Sequence, residues 1–316
     1  MLHLRVTSPP ALTTEVVGLL DSCAGVASLS VVPAASLRPE GDLIAADLAR
    51  ESVEEVLQAL RGIGIDVSGA IALEPIDTIV SVAADRAERA APGEGADAVI
   101  WEEVVERTES DAALSKTFVW FLSIAATLAA IAVILDSAIL VVGAMVVGPE
   151  FGPLAGVAVG IVHRRFALIR TSLVTLVVGL VTAVLVTASA CLLAAWFGWI
   201  DSSVLAQPRP FTGFIWTPDR WSFVVAFIAG TAGILSLTSA KSGALVGVFI
   251  SVTTVPAVGN FALALAFADG AEMAGSASQL AINMSAIVLA GVLTLLVQKH
   301  GGRRVRRLVA ARRPTS

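Results

Sequence analysis

Glu150 is the one charged side chain inside any of the long apolar stretches of this chain, and it stands in the run Gly148-Pro-Glu-Phe-Gly-Pro153. A charge at the centre of a bilayer costs at least about 2.5–3.5 kcal/mol on insertion scales, so such a residue as a rule lines an interior cavity or an ion path. It is suited to binding a cation or carrying a coupling proton. The plainer alternative is a structural glutamic acid that caps a broken helix. Gly148, Pro149, Gly152 and Pro153 supply the break, because proline removes an amide donor and clashes with the carbonyl one turn back, while glycine adds backbone freedom. A second apolar stretch carries Thr253-Thr-Val-Pro-Ala-Val-Gly-Asn260. Backbone groups freed at such breaks cannot face lipid. Paired broken helices at corresponding places in two halves point to a transport site. Thr253, Thr254, Pro256 and Asn260 are therefore expected to share a substrate or ion site with Glu150, with Asn283 as a further neighbour. Asp136 and Lys241 sit at tight junctions between apolar stretches. They are candidate gating charges, with interfacial solvation as the ordinary role.

Catalysis is the competing class. His3, His163 and His300 all lie outside the apolar stretches, so none can pair with a serine at membrane depth. Gly275-Ser-Ala-Ser278 lacks a base, and no His/Cys/Asp cluster has metal-ligand spacing. An intramembrane aspartyl protease would need two buried aspartates. The expectation is a protein that is not an enzyme and has no metal and no cofactor. Cys23 and Cys191 lie in regions of different character and are not expected to pair.

The elements that must position Glu150 follow from composition. The 316 residues are 56% hydrophobic and only 15% charged, against about a quarter charged in a soluble protein. Residues 1–116 carry a balance of −12 and residues 117–316 one of +7, an acidic soluble half followed by a basic apolar half. This excludes a disordered chain, a nucleic-acid binder and a disulfide-rich secreted domain. Six spans are expected, at 117–135, 137–162, 171–200, 221–240, 242–268 and 273–298, each near the 20 residues that crossing requires. Tight junctions join spans one to two and four to five. Loops of 8 and about 10 residues join two to three and five to six. Gly143-Ala-Met-Val146 and Gly243-Ala-Leu-Val246 open matching spans. The pattern predicts an inverted three-plus-three repeat with broken helices. Arg164, Arg165, Arg170, Lys241, Lys299 and the arginines from Arg303 to Arg313 put those segments on the cytoplasmic side, against only Arg209 and Arg220 on the other, so both termini are expected there. Trp196, Trp199, Trp216 and Trp221 would form an aromatic belt at the other face.

The start alternates Leu2, Leu4 and Val6 with polar residues. It does not read as a secretory apolar run, so residues 1–84 are expected to be a cytosolic domain. Its elements read β-α-β-β-α-β, with strands at 27–32, 43–48 and 67–73 after the first and a capping box from Ser52 and Glu55. That order is the α+β ferredoxin-like split, suited to binding a small regulatory ligand or to assembly. Residues 85–116 read as a linker (85–98) and an amphipathic helix (99–114). The helix has Ile100, Val104, Thr108 and Ala112 on one face, for a membrane surface or for its own domain. Residues 117–299 are the six-span membrane domain and 300–316 a basic cytosolic tail.

The fold class is thus an α-helical polytopic membrane protein with an N-terminal ferredoxin-like domain. Val142-Gly-Ala-Met-Val-Val-Gly-Pro-Glu-Phe-Gly-Pro-Leu154 resembles the glycine- and proline-rich second span of a bacterial hydrophobic-domain family, the domain of unknown function 389. Gly247-Val-Phe-Ile-Ser251 followed by Val255-Pro256 resembles its fifth span, where a double proline is common and this chain has Ala257. Many relatives carry a neutral residue in place of Glu150. The resemblance implies the architecture and a multi-pass protein of the bacterial inner membrane, but no substrate. The function expected is an inner-membrane transporter of a small solute or ion. A ligand-gated channel, or a sensor whose cytosolic domain binds a metabolite, is the alternative. Gly156-Val-Ala-Val-Gly160 offers a small-residue face for homo-oligomers.

Overall fold

The computed structural model describes residues 1–91, 99–239 and 254–312, with side chains as far as His300. The chain divides into two compact units, Met1–Glu103 with Thr238–Lys241, and Val104–Leu237 with Ser242–Ser316.

In the first unit, β1 (Leu2–Ser8), α1 (Pro10–Asp21), β2 (Val26–Leu37), β3 (Glu40–Leu48), α2 (Arg50–Gly62), the single turn α3 (Ile65–Ser68) and β4 (Ala70–Pro75) follow one another. They build one antiparallel sheet of order β2-β3-β1-β4, the strand order of interleaved βαβ units. Alternation writes the core. Leu2, Leu4 and Val6 of β1 and Ile44, Ala46 and Leu48 of β3 are buried against Val16, Leu20, Val53, Val56, Leu57 and Leu60 of the helices. Three local expectations differ from the structure. The last strand starts at Ala70 rather than 67, because Ile65–Ser68 closes into a helical turn. The Ser52–Glu55 capping box does not form: α2 begins at Arg50 after Ala49, and no side chain caps it. Ser52 is instead buried in the first turn, with Gly25 packed on its hydroxyl. The expected linker begins inside a helix, α4 (Val82–Ala90), capped by the Ser81 hydroxyl and packed by Ala84 and Ala87.

Helix α5 (Trp101–Asp111) has the expected face of Ile100, Val104, Thr108 and Ala112, and all four are buried in protein rather than lying on a bilayer surface. Ile100 joins the core of the first unit. In the second unit, the Thr175 hydroxyl donates to the Ala112 carbonyl at 2.8 Å.

The second unit continues with α6 (Lys116–Ile134), α7 (Ala138–Val147), α8 (Phe151–His163), α9 (Phe166–Trp196), the single turn α10 (Ser203–Ala206), α11 (Arg220–Thr238), α12 (Thr254–Ala266) and α13 (Gly270–Arg312). Four helices are long and apolar enough to cross a membrane, and α7 with α8, bent by 56°, makes a fifth if counted as one span. The expected fifth span, 242–268, is described only in its second half, as the 13-residue α12. The Gly243–Val246 echo lies outside the described residues. Outward side chains of α9, including Val174, Val177, Val181 and Leu185, are exposed, as are Trp196, Trp199 and Trp221. A contiguous apolar surface of this kind fits a multi-pass protein in a lipid bilayer.

The two short helices are matched. Both α8 and α12 have 13 residues, with proline third (Pro153, Pro256) and glycine sixth (Gly156, Gly259). Each glycine marks a close approach. A Cβ on Gly156 would lie 2.3 Å from the Ser172 hydroxyl, and one on Gly259 would lie 2.6 Å from the Ala129 Cβ. Each short helix turns tightly into a long one through a left-handed residue, Arg164 or Ala268, both at φ 56°. The 8-residue and 10-residue loops expected here are therefore short turns, since α9 begins at Phe166 and α13 at Gly270. Each short helix also packs on the other's long partner, α8 on α13 and α12 on α9.

Candidate functional site

The break before Glu150 is built by backbone chemistry. A residue preceding proline is driven out of the helical region, and Gly148 is extended at φ −69°, ψ 126°, ending α7. Pro149 has no amide to donate. Helix α8 restarts at Phe151, and Pro153 sits in its first turn, where a missing N–H breaks no intrahelical bond. Gly152 lies against the end of α5, where a Cβ would meet the Asp111 carbonyl at 2.7 Å. Glu150 occupies the N-cap of α8 without capping it by its side chain. The carboxylate is 3% exposed and sits at the positive end of the helix dipole. Its Oε1 accepts a 2.6 Å hydrogen bond from the Thr254 hydroxyl. Thr254 is the first residue of α12, so the starts of the two short helices meet through this pair.

Asn260 is not part of that contact. It lies six residues further along α12, about 9 Å at helical rise, in a second polar cluster that the sequence reading missed. Its Nδ2 donates to Glu272 Oε2 at 3.1 Å and to Ser276 Oγ at 2.8 Å, and its Oδ1 accepts from Arg209 at 3.2 Å. Arg209 also forms an ion pair with Glu272, and the two side chains are 5% and 4% exposed. Arg209 is held by the loop between α9 and α11, which reaches over this end of the helices. The Asp136 carboxylate, in the left-handed turn from α6 to α7 at φ 44°, accepts from the Phe211 amide at 3.1 Å and the Thr212 hydroxyl at 2.8 Å. Ile215 is buried beside Ala130, Val133 and Leu263. A Cβ on Gly275 would lie 2.1 Å from the Trp216 carbonyl, so loop and α13 are pressed together. Asp136 thus anchors a loop.

The two clusters are joined by one face of α13. Glu272, Ser276, Gln279 and Asn283 recur at steps of four, three and four, and all are buried. That spacing keeps side chains on one stripe of a helix, here about 16 Å long. Beyond it the buried face becomes apolar, with Ala286, Ile287 and Ala290. Helices α12 and α13 are antiparallel across a short turn. Six residues from the Asn260–Ser276 contact along each brings Thr254 level with Ile282, one residue from Asn283. The stripe therefore runs from the Arg209 cluster to the level of the Glu150–Thr254 pair. The signal was present in the sequence as polar residues at helical spacing, but Glu272 stood just outside the charge-free stretch and Arg209 read as a loop charge. Pro256 is buried in the first turn of α12. Thr253 and Lys241 lie outside the described residues. Among those described, no group of three or more His, Cys, Asp or Glu side chains is placed to hold a metal ion.

In the first unit the polar residues form a cross-strand set. Asp47 on β3 accepts from Ser28 on β2 at 2.6 Å and pairs with His3 on β1 at 2.7 Å. Partial burial works to raise its carboxyl, but the bonds from His3 and Ser28 prevail and hold it below the usual carboxylate value.

Residues 145–289, which contain every polar group of both clusters and the stripe except Asp136, match the family model described as a domain of unknown function, DUF389. This part of the chain is similar to that family. A protein of Methanocaldococcus jannaschii, named only as uncharacterised, is 28% identical over 197 residues, which cover 60% of this chain. The chain spans 58% of the length of that relative. No solved structure matches the chain.

Proposed function

We propose that this chain, with its domain of unknown function at 145–289, is a membrane transporter of a small solute or ion whose central site is the Glu150–Thr254 pair. The observation that carries the reading is a buried carboxylate at a 56° helix break, held by a hydroxyl from the start of a second short helix. The matched pairs α8–α9 and α12–α13 support an inverted repeat, with each half giving one short helix to the site. The buried stripe from Asn283 to Glu272 supports a polar path from that site to one end of the bundle. The positions of the basic residues favour that end as the outer one, with both termini in the cytoplasm of a bacterial cell. For the first unit, the long edge strand β2, with Val32 and Leu37 in solvent, favours assembly with a second copy through that edge over ligand binding.

The test is transport in proteoliposomes together with a ligand screen. The purified full-length chain is screened for thermal stabilisation by inorganic ions and small metabolites, and each hit is then assayed for flux. Glu150→Gln should abolish both stabilisation and flux for the same compound. A compound carried equally well by wild type and Glu150→Gln would place the site elsewhere and sink the reading.

A further inference from the structure

Arg209 is attached differently from the groups it touches. Its side-chain partners Asn260 and Glu272 stand on α12 and α13, which pack along their length. Arg209 stands in a loop whose regular pieces are the turn Ser203–Ala206 and the 3-10 turn Gly213–Ile215.

The acceptors are organised without it. The Asn260 amide spends its nitrogen on Glu272 Oε2 and Ser276 Oγ, which leaves Oδ1 turned to the guanidinium. The backbone amide of Glu272 is fixed by Asp269 Oδ1 at 3.0 Å. One carboxylate oxygen and one amide oxygen therefore converge on a nearly dry spot that a positive group fills. Oxygen donors of this kind suit a hard cation, and a single negative charge suits a monovalent one. The spot is also close to the surface. Arg209, Leu205, Pro208, Gly213 and Trp216 line an open groove of about 420 Å³. Asp136 grips Phe211 and Thr212, so the loop can give up Arg209 and stay attached two residues away.

We propose that Glu272 and Asn260, the latter oriented by Ser276, form a binding site for a small monovalent cation, which Arg209 occupies as a tethered guanidinium. Bulk cation and loop compete for the same oxygens. A cation that enters displaces Arg209 into the groove, and the returning loop expels the cation. A carboxylate that loses its partner inside a protein is strongly destabilising unless another positive group replaces it, so the site is not left empty. The inference stands on this cluster and not on Glu150 or on transport.

The probe is millimolar guanidinium chloride, far below denaturing levels, against tetramethylammonium chloride at equal ionic strength. In the wild-type full-length chain, hydrogen exchange at residues 203–213 should quicken with guanidinium, in proportion to its concentration once that exceeds the Kd. The rise should be about tenfold at ten times its Kd, because competition multiplies the open population by one plus the ligand ratio. Tetramethylammonium, too bulky for two converging oxygens, should do nothing. In Arg209→Ala the thermal midpoint should fall in tetramethylammonium and recover with guanidinium or sodium, rising with the logarithm of their concentration above the Kd. In Arg209→Ala/Glu272→Gln neither cation should act. Glu150→Gln should leave all these responses in place, which separates them from the transport reading. An Arg209→Ala chain indifferent to guanidinium and sodium, or a double variant still stabilised by them, overturns the proposal. If Arg209→Ala does not fold, wild-type exchange decides, and an equal response to the two salts overturns it.

Discussion

Thr254→Val removes the hydroxyl that holds Glu150 while keeping the shape of the side chain. Thr254 is 2% exposed and Glu150 3%, so bulk water does not replace the lost donor. A hydrogen bond to a charged acceptor contributes about 1.5–3 kcal/mol, and one between neutral groups about 0.5–1.5 kcal/mol. The substitution should therefore cost about 1.5–3 kcal/mol with Glu150 ionised and the lower range with it neutral, so the size of the loss reports the charge state of the carboxyl. Thr254→Ser keeps the donor and should retain most of the stability. Glu150→Gln completes a double-mutant cycle, in which contacting residues couple by about 0.5–3 kcal/mol. Reversible denaturant unfolding of the detergent-solubilised chain supplies the four free energies. A Thr254→Val cost under about 0.5 kcal/mol, or a cycle additive within about 0.5 kcal/mol, would refute the claim that this pair ties the two short helices together.

Gly259→Leu should destabilise by at least about 1–3 kcal/mol, the range for overpacking, because the atoms it meets at 2.6–2.7 Å include the Ala126 carbonyl and the Ala130 amide, which are backbone; thermal unfolding measures it. Asp136→Ala should loosen the loop without unfolding the helices, seen as faster proteolysis within residues 205–217 at an unchanged helical circular-dichroism signal. Asp47→Asn should weaken the first unit at neutral pH. Its native carboxyl lies below the ordinary value of 3.8, so its contribution is present above about pH 3.8 and is lost as the pH falls through the native value. Variant and wild type should converge below that window, as measured by hydrogen exchange of β3 corrected for intrinsic rate.

Leu2, Leu4 and Val6 announced β1 because alternation on a half-buried strand leaves no second solution. The order of elements that followed was enough to anticipate the sheet. Gly148-Pro-Glu announced the break in the same way, since proline and its predecessor act on the backbone whatever surrounds them. The partners of the polar residues were less legible. Asn260 was expected beside Glu150 because both lie in broken stretches, yet the antiparallel register of α12 and α13 gives it to Glu272 and Ser276. Register between helices depends on the turn at 267–269 and on side-chain fit, neither of which periodicity encodes. Ser52 and Glu55 have the spacing of a capping box, but Ala49 starts the helix earlier and burial of Ser52 against Gly25 takes the hydroxyl away. Arg209 shows the limit most sharply. A loop arginine reads as a topology charge until the fold turns it inward.

The polar stripe of α13 bears on how the chain enters its membrane. Helix α13 is long enough to cross it, but it carries Glu272, Ser276, Gln279 and Asn283 on one face, and each lowers its affinity for lipid. That cost is relieved once the hairpin forms, because α12 covers the polar face through Asn260. The two segments are therefore expected to leave the insertion machinery as a pair, after α6 and α9 are already in place to receive them. A chain in which α12 could not pair with α13 would leave that polar face turned to lipid.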